Sequence, residues 1–168
     1  MSLNPVPVVS VIVPVGTRQT ATAELYAEYA SGLKGLRAPH EFIFVLDGPQ
    51  PRCESVLAQL AARGEPITVV SLTRSFGEAT AVMIGFDQAL GSVILTLPAH
   101  LQVEGSELPK LVAVLEEADI AVGCREPRAS NWFQTFRRRA FHGLLRSVTG
   151  LSFRDLGCTA RAMRRKVL

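Results

Sequence analysis

The sequence is poor in cysteine and has no long hydrophobic run. Its three cysteines, Cys53, Cys124 and Cys158, lie far apart and form no C-x-x-C pair. This pattern argues against a zinc site or a disulfide framework and is typical of a reducing compartment. The most apolar stretch, Val6–Val15, contains two prolines and a serine, whereas a membrane-spanning helix needs about 20 apolar residues. No basic start or small-residue cleavage site follows Met1, so a secretory signal peptide is not expected.

Several motifs of nucleotide-binding and hydrolytic enzymes are also missing. The first predicted strand is followed by G-T-R rather than G-x-G-x-x-G, and no glycine run leads to a P-loop lysine. These absences argue against a dinucleotide cofactor and against P-loop nucleotide hydrolysis. No G-x-S-x-G elbow is present, and His40, His100 and His142 have no obvious serine or cysteine partner, so a hydrolase triad is poorly supported.

The composition itself is that of an ordinary globular protein. The 168 residues are 48% hydrophobic and 20% charged, and this length predicts a single domain over residues 1–168. The net charge of +3 is unevenly spread, because eleven of the 18 basic residues but only two of the 15 acidic ones follow Cys124. A basic C-terminal quarter indicates a phosphate, nucleic acid or anionic lipid neighbour, or equally a solvated helix face with an exposed tail.

Buried strands alternate with amphipathic helices along most of the chain. Val8–Val15 is a nearly continuous β-branched run, typical of a parallel strand buried on both faces. Further strands are predicted at Glu41–Leu46, at Ile67–Leu72, from Ser92 onwards and at Ile120–Gly123. Helices are predicted up to Leu36 and at Ser55–Arg63, Glu78–Leu90 and Glu107–Glu117. This alternation of five strands with helices predicts an α/β fold with a mostly parallel central sheet flanked by helices.

A long amphipathic helix is predicted at Asn131–Val148. Its apolar residues form one stripe, while Arg138, His142 and Arg146 recur every fourth residue on another. Such a helix is compatible with an anionic membrane surface, but packing against its own sheet is the favoured interpretation.

Polar residues follow the predicted strands. Asp47 ends the second strand, Arg74 the third and Arg125 the fifth, while His100 and Gln102 end the fourth. Ligands of open α/β sheets bind at the carboxyl ends of the strands, so these side chains are expected on one rim. Arginines offer paired donors to phosphate oxygens, and the set therefore suits a phosphorylated ligand. A strand-end aspartate taken alone is more often a turn former than a ligand.

The motifs at these strand ends, in their order along the chain, resemble those of family-2 inverting glycosyltransferases of the GT-A fold. The likeness is to enzymes that transfer sugars to polyprenyl phosphates, and it runs from Val8 nearly to the last residue. The first strand of the family is similar to V-S-V-I-V-P-V in this chain, and its acidic second strand end is similar to F-I-F-V-L-D-G. The family's R-N-x-G-x-x-x-A motif is similar to R-S-F-G-E-A-T-A. L-T-L-P-A-H-L-Q is similar to L-D-A-D-L-Q, and R-D-L-G-C-T-A-R-A-M-R-R to D-x-G-C-x-x-R-A-x-R-R.

The resemblance implies a nucleotide-diphospho-sugar transferase-like domain. Its donor would be a nucleotide-diphosphate sugar, and its acceptor a polyprenyl phosphate lipid at a membrane surface. The nucleotide-binding residues implied by position are Pro14, Val15, Asp47, Arg74 and Gly77. The resemblance further implies a cytoplasmic location, in association with the inner face of the membrane, and no nucleic-acid partner.

Catalytic roles are also implied by the resemblance. Arg125 and Arg139 are expected to approach phosphate groups, and Asp155 lies in the acceptor-side motif. Because the acceptor phosphate is already ionised, no general base is needed to activate it. The difficulty lies in neutralising the departing nucleoside diphosphate, for which the family uses Mg²⁺ or Mn²⁺ held by two aspartates.

The metal-binding tip departs from the family pattern. Pro98 and His100 stand where the family has its two aspartates, while Gln102 is retained. His100 and Gln102 therefore form a degenerate metal site, because hard cations prefer several oxygen ligands. The sequence predicts either a glycosyltransferase that draws positive charge from its arginines or an inactive scaffold or regulatory domain. An unrelated α/β binding domain is the least favoured alternative.

Overall fold

The computed structural model describes residues 7–18, 21–124 and 158–168. Contacts divide the chain into two compact units, one formed by Met1–Val122 with Thr159–Leu168 and the other by Gly123–Cys158. All strands and helices of the described residues belong to the first unit. The long helix predicted at Asn131–Val148 lies outside the described residues.

A six-stranded sheet forms the centre of the first unit. Its strands are β1 (Val9–Val15), β2 (His40–Leu46), β3 (Ile67–Ser71), β4 (Val93–Thr96), β5 (Ile120–Val122) and β6 (Arg161–Arg164). Their order across the sheet is β3-β2-β1-β4-β6-β5. β1 pairs in parallel with both β2 and β4, and β2 pairs in parallel with β3. These pairings confirm the predicted α/β fold with a mostly parallel sheet.

The strand β6 is not among the five predicted strands, so the predicted number is wrong by one. It lies between β4 and β5 and is antiparallel to both. Ala162 and Met163 are buried, whereas Arg161 is exposed. A four-residue segment with arginine at both ends shows no apolar alternation, and its strand conformation depends on the partners that it pairs with.

Helices connect the strands in the described part of the chain. They are α1 (Thr22–Leu33), α2 (Pro51–Ala62), α3 (Glu78–Gln88) and α4 (Leu108–Ala113). The single helix predicted at Glu107–Glu117 is instead α4 with a 3₁₀ turn on either side. Among the described residues, no helix combines the length and the hydropathy needed to cross a lipid bilayer.

The strand β1 is the most deeply buried element of the sheet. All seven of its residues are buried, and each buried valine or isoleucine side chain contributes about 1.5–3 kcal/mol. On one face, α3 packs so closely that a Cβ on Gly85 would overlap the side chain of Ile12. On α1, the buried residues are Leu25, Tyr26, Tyr29 and Leu33. Since β1, β2, β3 and β4 run in parallel, their carboxyl ends form one rim, where ligands of such sheets bind.

Candidate functional site

A pocket of about 260 Å³ lies at the carboxyl ends of β1 and β2. It is lined by Gly16, Thr17, Asp47, Gly48, Pro49, Gln50 and Ser75. The lining contains hydroxyl, amide and carboxylate groups but no lysine or arginine. Because phosphate sites in proteins are built from cationic or backbone N–H donors, this lining suits an uncharged polar group better than a phosphate.

Asp47 joins the end of β2 to the loop that follows β3. Its Oδ1 accepts a hydrogen bond from the backbone N–H of Phe76 at 2.7 Å. Its Oδ2 accepts from the Ser75 hydroxyl at 2.7 Å and from the Gly77 N–H at 3.0 Å. Burial alone would raise the pKa of Asp47, but these three hydrogen bonds favour the carboxylate and hold the pKa below its ordinary value. The structure thus brings Asp47 and Gly77, both predicted nucleotide-binding residues, into direct contact.

Two glycines make this junction sterically feasible. Gly48 has a φ of +97° and Gly77 a φ of +93°, a backbone region that other residues rarely adopt. A Cβ on Gly48 would also lie only 3.2 Å from the backbone nitrogen of Ser75. Gly77 immediately precedes α3, so the Asp47 carboxylate lies at the N-terminus of that helix, where the helix dipole favours negative charge.

Gln50 ties the turn after β2 to the end of β1. Its Nε2 donates a hydrogen bond to the carbonyl oxygen of Val15 at 2.6 Å, and the Asp47 N–H donates to the same oxygen at 2.9 Å. The Gln50 Oε1 is buried and has no hydrogen-bond partner among the described residues. Pro14 and Val15, both predicted to bind nucleotide, have side chains buried within β1. Sequence reasoning did not identify Gln50, because in D-G-P-Q it reads only as a turn residue.

Arg74 lies beside this pocket rather than in its lining. Its guanidinium carbon is 4.8 Å from the centre of the Phe76 ring, and both side chains are exposed. Such a cation–π contact contributes about 0.5–1 kcal/mol at an exposed site. The stacking holds a cation at the surface next to a pocket that has no cationic side chain in its lining, which is a suitable arrangement for a ligand that carries a polar group and a phosphate together.

The tip that follows β4 is held by a tyrosine of α1. The fully buried Tyr29 directs its hydroxyl at the carbonyl oxygen of Pro98, at 3.0 Å, and at that of His100, at 3.4 Å. Burial, with the negative charge of Glu28 as a smaller cause, raises the pKa of Tyr29 far above its ordinary value, so the hydroxyl keeps its proton and donates. The side chains of His100 and Gln102 are half-buried.

Further contacts with α1 fix the residues beyond the tip. The Oε1 of Glu28 accepts a hydrogen bond from the Gly105 N–H at 2.7 Å. A Cβ on Gly32 would overlap the carbonyl group of Gly105, and one on Gly105 would overlap the carbonyl oxygen of Glu28. The backbones approach so closely that both positions require glycine. The position of the tip is therefore set by side chains and backbone of α1.

The residues of the tip do not fit a divalent cation of the kind that the family uses. Across the described residues, no group of three or more histidine, cysteine, aspartate or glutamate side chains is arranged to hold a metal ion. Pro98 has no ligating side chain, and its carbonyl oxygen already accepts from Tyr29. His100 and Gln102 together offer one hard oxygen ligand, too few for Mg²⁺ or Mn²⁺.

Arg125, Arg139 and Asp155, which were predicted to be catalytic, lie outside the described residues. Their roles stay predictions. Among the described rim residues, Asp47 and Gly77 are in contact with each other, and Arg74 belongs to the same loop as Gly77.

Part of the C-terminal positive charge has a structural role. The Nζ of Lys166 lies 2.8 Å and the Nε of Arg164 3.7 Å from the Oδ1 of Asp119. Arg164 also donates a hydrogen bond to the carbonyl oxygen of Leu115. Exposed ion pairs contribute only about 0–1 kcal/mol each, but these contacts join β6 to the segment before β5. For these two residues, the structural interpretation of the basic C-terminus is favoured over ligand binding.

The chain matches a known family over almost its whole length. Residues 10–168 fit the model described as glycosyl transferase family 2. The chain is 34% identical over 168 residues to undecaprenyl-phosphate 4-deoxy-4-formamido-L-arabinose transferase from Serratia proteamaculans, covering 99% of this chain and 52% of that protein. It is 35% identical over 162 residues to the protein of the same name from Enterobacter sp. strain 638, covering 95% and 50%. The chain thus spans about half the length of these curated relatives.

Solved structures share the fold at lower sequence identity. The mannosyltransferase PcManGT from Pyrobaculum calidifontis, in complex with GDP-Man and Mn²⁺, matches with a TM-score of 0.64 at 21% identity, over 96% of this chain and 46% of that one. Glucosyl-3-phosphoglycerate synthase from Mycobacterium tuberculosis, in complex with Mn²⁺, UDP-Glc and phosphoglyceric acid, matches with a TM-score of 0.68 at 17% identity, over 96% and 58%. These likenesses concern the fold, and they confirm the predicted GT-A architecture.

Proposed function

The chain belongs to glycosyl transferase family 2, and on this basis we propose that it transfers a sugar from a nucleotide-diphosphate donor to a polyprenyl phosphate. The observation that carries the proposal is the pocket at the carboxyl ends of β1 and β2, whose lining has hydroxyl, amide and carboxylate groups but no lysine or arginine. It suits the nucleoside of the donor, with Arg74 beside it for the diphosphate. The acceptor is proposed from the curated relatives, whose names specify undecaprenyl phosphate.

The chemistry required of the protein is positioning and charge neutralisation. A phosphate monoester acceptor is ionised near neutral pH, so it needs no general base before it attacks the anomeric carbon. The departing nucleoside diphosphate develops negative charge, which preorganised cations stabilise. We assign this role to Arg125 and Arg139, with Asp155 on the acceptor side, on the resemblance alone. Because Pro98 and His100 do not fit a divalent cation, no step is assigned to one.

A second candidate function is favoured by the tip after β4. Losing one charge-stabilising group of this type costs a catalyst about 3–4 kcal/mol, and the tip has lost two aspartates relative to the family pattern. A chain that keeps the nucleoside pocket while its tip binds no metal suits a nucleotide-binding scaffold or regulatory domain. The hydrogen bonds of Tyr29 with the tip are compatible with either function.

Other proposals concern the context of the protein. We propose a single glycosyltransferase-like domain over residues 1–168, supported by the family match over 10–168. We also propose a cytoplasmic protein that meets its lipid acceptor at the inner face of the membrane, supported by the lipid-linked acceptor in the names of the relatives.

Two measurements on the same preparation test these functions. Titration calorimetry with UDP, GDP and their sugar conjugates, with Mn²⁺ or with EDTA, measures nucleotide binding. Incubation with undecaprenyl phosphate and a labelled donor, followed by lipid extraction, measures transfer. Binding in EDTA with transfer supports the metal-independent transferase, and binding without transfer supports the scaffold. If no nucleotide binds in either condition, both functions are refuted.

A further inference from the structure

The helix α3 is apolar on two opposite sides. It packs on the sheet through Gly85, where an added Cβ would overlap the side chain of Ile12. This close approach fixes which side of the helix faces outwards. From Ala79 to Phe86 the only polar side chain is that of Thr80, and a helix that is apolar all round is normally buried all round. The outer side of α3 therefore has the composition of a buried surface.

The outer side of α3 carries a stripe of exposed apolar residues. Ala79, Met83 and Phe86 follow one another at spacings of four and three residues, which is the spacing of a helix-packing seam. Met83 is 61% exposed, Ala79 is exposed and Phe86 is half-buried. Phe76, just before the helix, is 49% exposed, and Leu90, just after it, is 65% exposed. These five residues, the α3 stripe, form the kind of exposed apolar patch that marks an interaction site in a soluble protein.

The α3 stripe is complementary to itself when two copies of the helix lie antiparallel. A two-fold axis at the level of Ala81 places Met83 of one copy opposite Ala79 of the other. The small alanine leaves room for the long methionine side chain, so the two helices can approach closely. The same axis places Phe86 of one copy opposite Phe76 of the other, and two such rings attract each other when they meet edge to face.

The charges beside the α3 stripe favour the same arrangement. The exposed Asp87 directly follows Phe86, and Arg74 lies at the other end, where its guanidinium carbon is 4.8 Å from the centre of the Phe76 ring. Antiparallel copies bring Asp87 of each towards Arg74 of the other, whereas parallel copies bring like charges together. A guanidinium has five N–H donors, so this ion pair leaves donors for a diphosphate. The carboxylate of Asp87 also disfavours an anionic lipid surface as the occupant.

We propose that the α3 stripe is the interface of a homodimer, in which two copies of the chain pack α3 against α3 in antiparallel orientation. One pair of short helices buries less than the roughly 800 Å² per partner of a standard interface, so the dimer is expected to be weak. A Kd on the order of 10–100 µM is expected. This inference goes beyond the proposed function and does not depend on it.

Sedimentation velocity tests the apolar part of the interface. The 168-residue chain is measured between about 1 and 500 µM, a range that brackets the expected Kd. Met83→Glu places a charge in the apolar seam of each copy and should raise the Kd more than about tenfold. Val114→Glu changes another exposed apolar residue, in the turn after α4, and is the matched control that should dimerise as wild type. Both positions are exposed, so both variants are expected to fold, and thermal unfolding checks this.

Charge reversal tests the antiparallel orientation. Asp87→Arg and Arg74→Asp, each made alone, place like charges opposite one another and should each raise the Kd about tenfold. The double variant exchanges the two charges and restores both ion pairs, so its Kd should return to within about threefold of the wild-type value. In a parallel dimer each residue would face its own copy, and the double variant would gain nothing.

Four results would overturn the proposal. The first is a wild-type chain that stays monomeric over the whole concentration range. The second is a dimer that Met83→Glu leaves intact, because it uses another surface. The third is a loss of association in the single charge variants that the double variant does not recover. The fourth is a monomer that binds phosphatidylglycerol vesicles and loses this binding in Met83→Glu, because the α3 stripe then takes a lipid surface.

Discussion

Replacing Tyr29 by phenylalanine removes a single hydroxyl from the contact between α1 and the tip after β4. The ring stays, so the apolar packing of this fully buried side chain is retained. The carbonyl oxygens of Pro98 and His100 lose the donor that lies 3.0 Å and 3.4 Å from them. A buried acceptor left unpaired costs about 1–3 kcal/mol, so we expect Tyr29→Phe to lower the free energy of unfolding by about 2 kcal/mol.

The neighbouring Tyr26 provides a matched control. It lies on the same helix, its ring is also buried, and its hydroxyl donates to the carboxylate of Glu65. Glu65 is exposed, so water replaces the lost donor when the hydroxyl is removed. Tyr26→Phe is therefore expected to cost at most about 1 kcal/mol.

Thermal and urea unfolding distinguish the two variants. For a chain of this size, 1 kcal/mol corresponds to about 2–4 °C, so Tyr29→Phe should lower Tm by about 4–8 °C and Tyr26→Phe by less than about 4 °C. The urea midpoint should fall in the same order with an unchanged slope, because both variants expose the same surface on unfolding. If Tyr29→Phe is no less stable than Tyr26→Phe, the Tyr29 hydroxyl does not hold the tip, and its position is not set by this contact.

Three further predictions concern other parts of the described chain. Gly105→Ala should cost more than about 2 kcal/mol, because its Cβ would overlap the Glu28 carbonyl oxygen. The control is Gly16→Ala, which should hardly change the stability because no atom lies within 4 Å of the new Cβ. Equal Tm values for Gly105→Ala and Gly16→Ala would contradict the close approach of Gly105 to Glu28. The lowered pKa of Asp47 gives stability that is complete above the unfolded value of about 3.9 and is lost as the pH falls through the folded pKa. In Asp47→Asn, the urea midpoint should therefore depend less on pH below about pH 4 than it does in the wild-type protein. If the two proteins show the same pH dependence there, the three hydrogen bonds do not lower the pKa of Asp47. Burial raises the pKa of the Cys53 thiol, and the Thr22 hydroxyl lowers it by a smaller amount. Cys53 should therefore react slowly with a thiol reagent at pH 8 until urea unfolds the chain. Fast labelling of Cys53 in the folded protein, located by mass spectrometry, would contradict its burial.

The parallel part of the sheet could be predicted because each of its strands has a recognisable apolar sequence pattern. β1 is a nearly continuous apolar run and β2 is apolar from Phe42 onwards, and burial on both faces requires such runs. β6 has no comparable pattern, since Arg161 and Arg164 flank only two buried residues. Its conformation is imposed by pairing with β4 and β5, which a local sequence pattern does not encode.

The candidate site could be predicted in place but not in detail. Asp47 follows a strand, so its position on the rim was predictable from the sheet alone. Its three hydrogen bonds reach residues about thirty positions later, and they depend on how two loops meet in space. The unpaired oxygen of Gln50 likewise results from a contact with Val15, on a different strand. The type of a residue and its place after a strand predict where it lies, whereas its hydrogen-bond partners are set by tertiary contacts.

The place of β6 in the sheet has a consequence for the order in which the protein is made. Synthesis from the N-terminus delivers β1 to β4 early, and these strands can pair as soon as they emerge. Among the described strands, β5 pairs only with β6, so it waits until Arg161–Arg164 have been translated. Meanwhile β5 presents an unpaired backbone edge together with Ile120 and Val122, a template for association with other nascent chains. The time that the ribosome takes to translate residues 123–160 therefore sets how long that association hazard lasts.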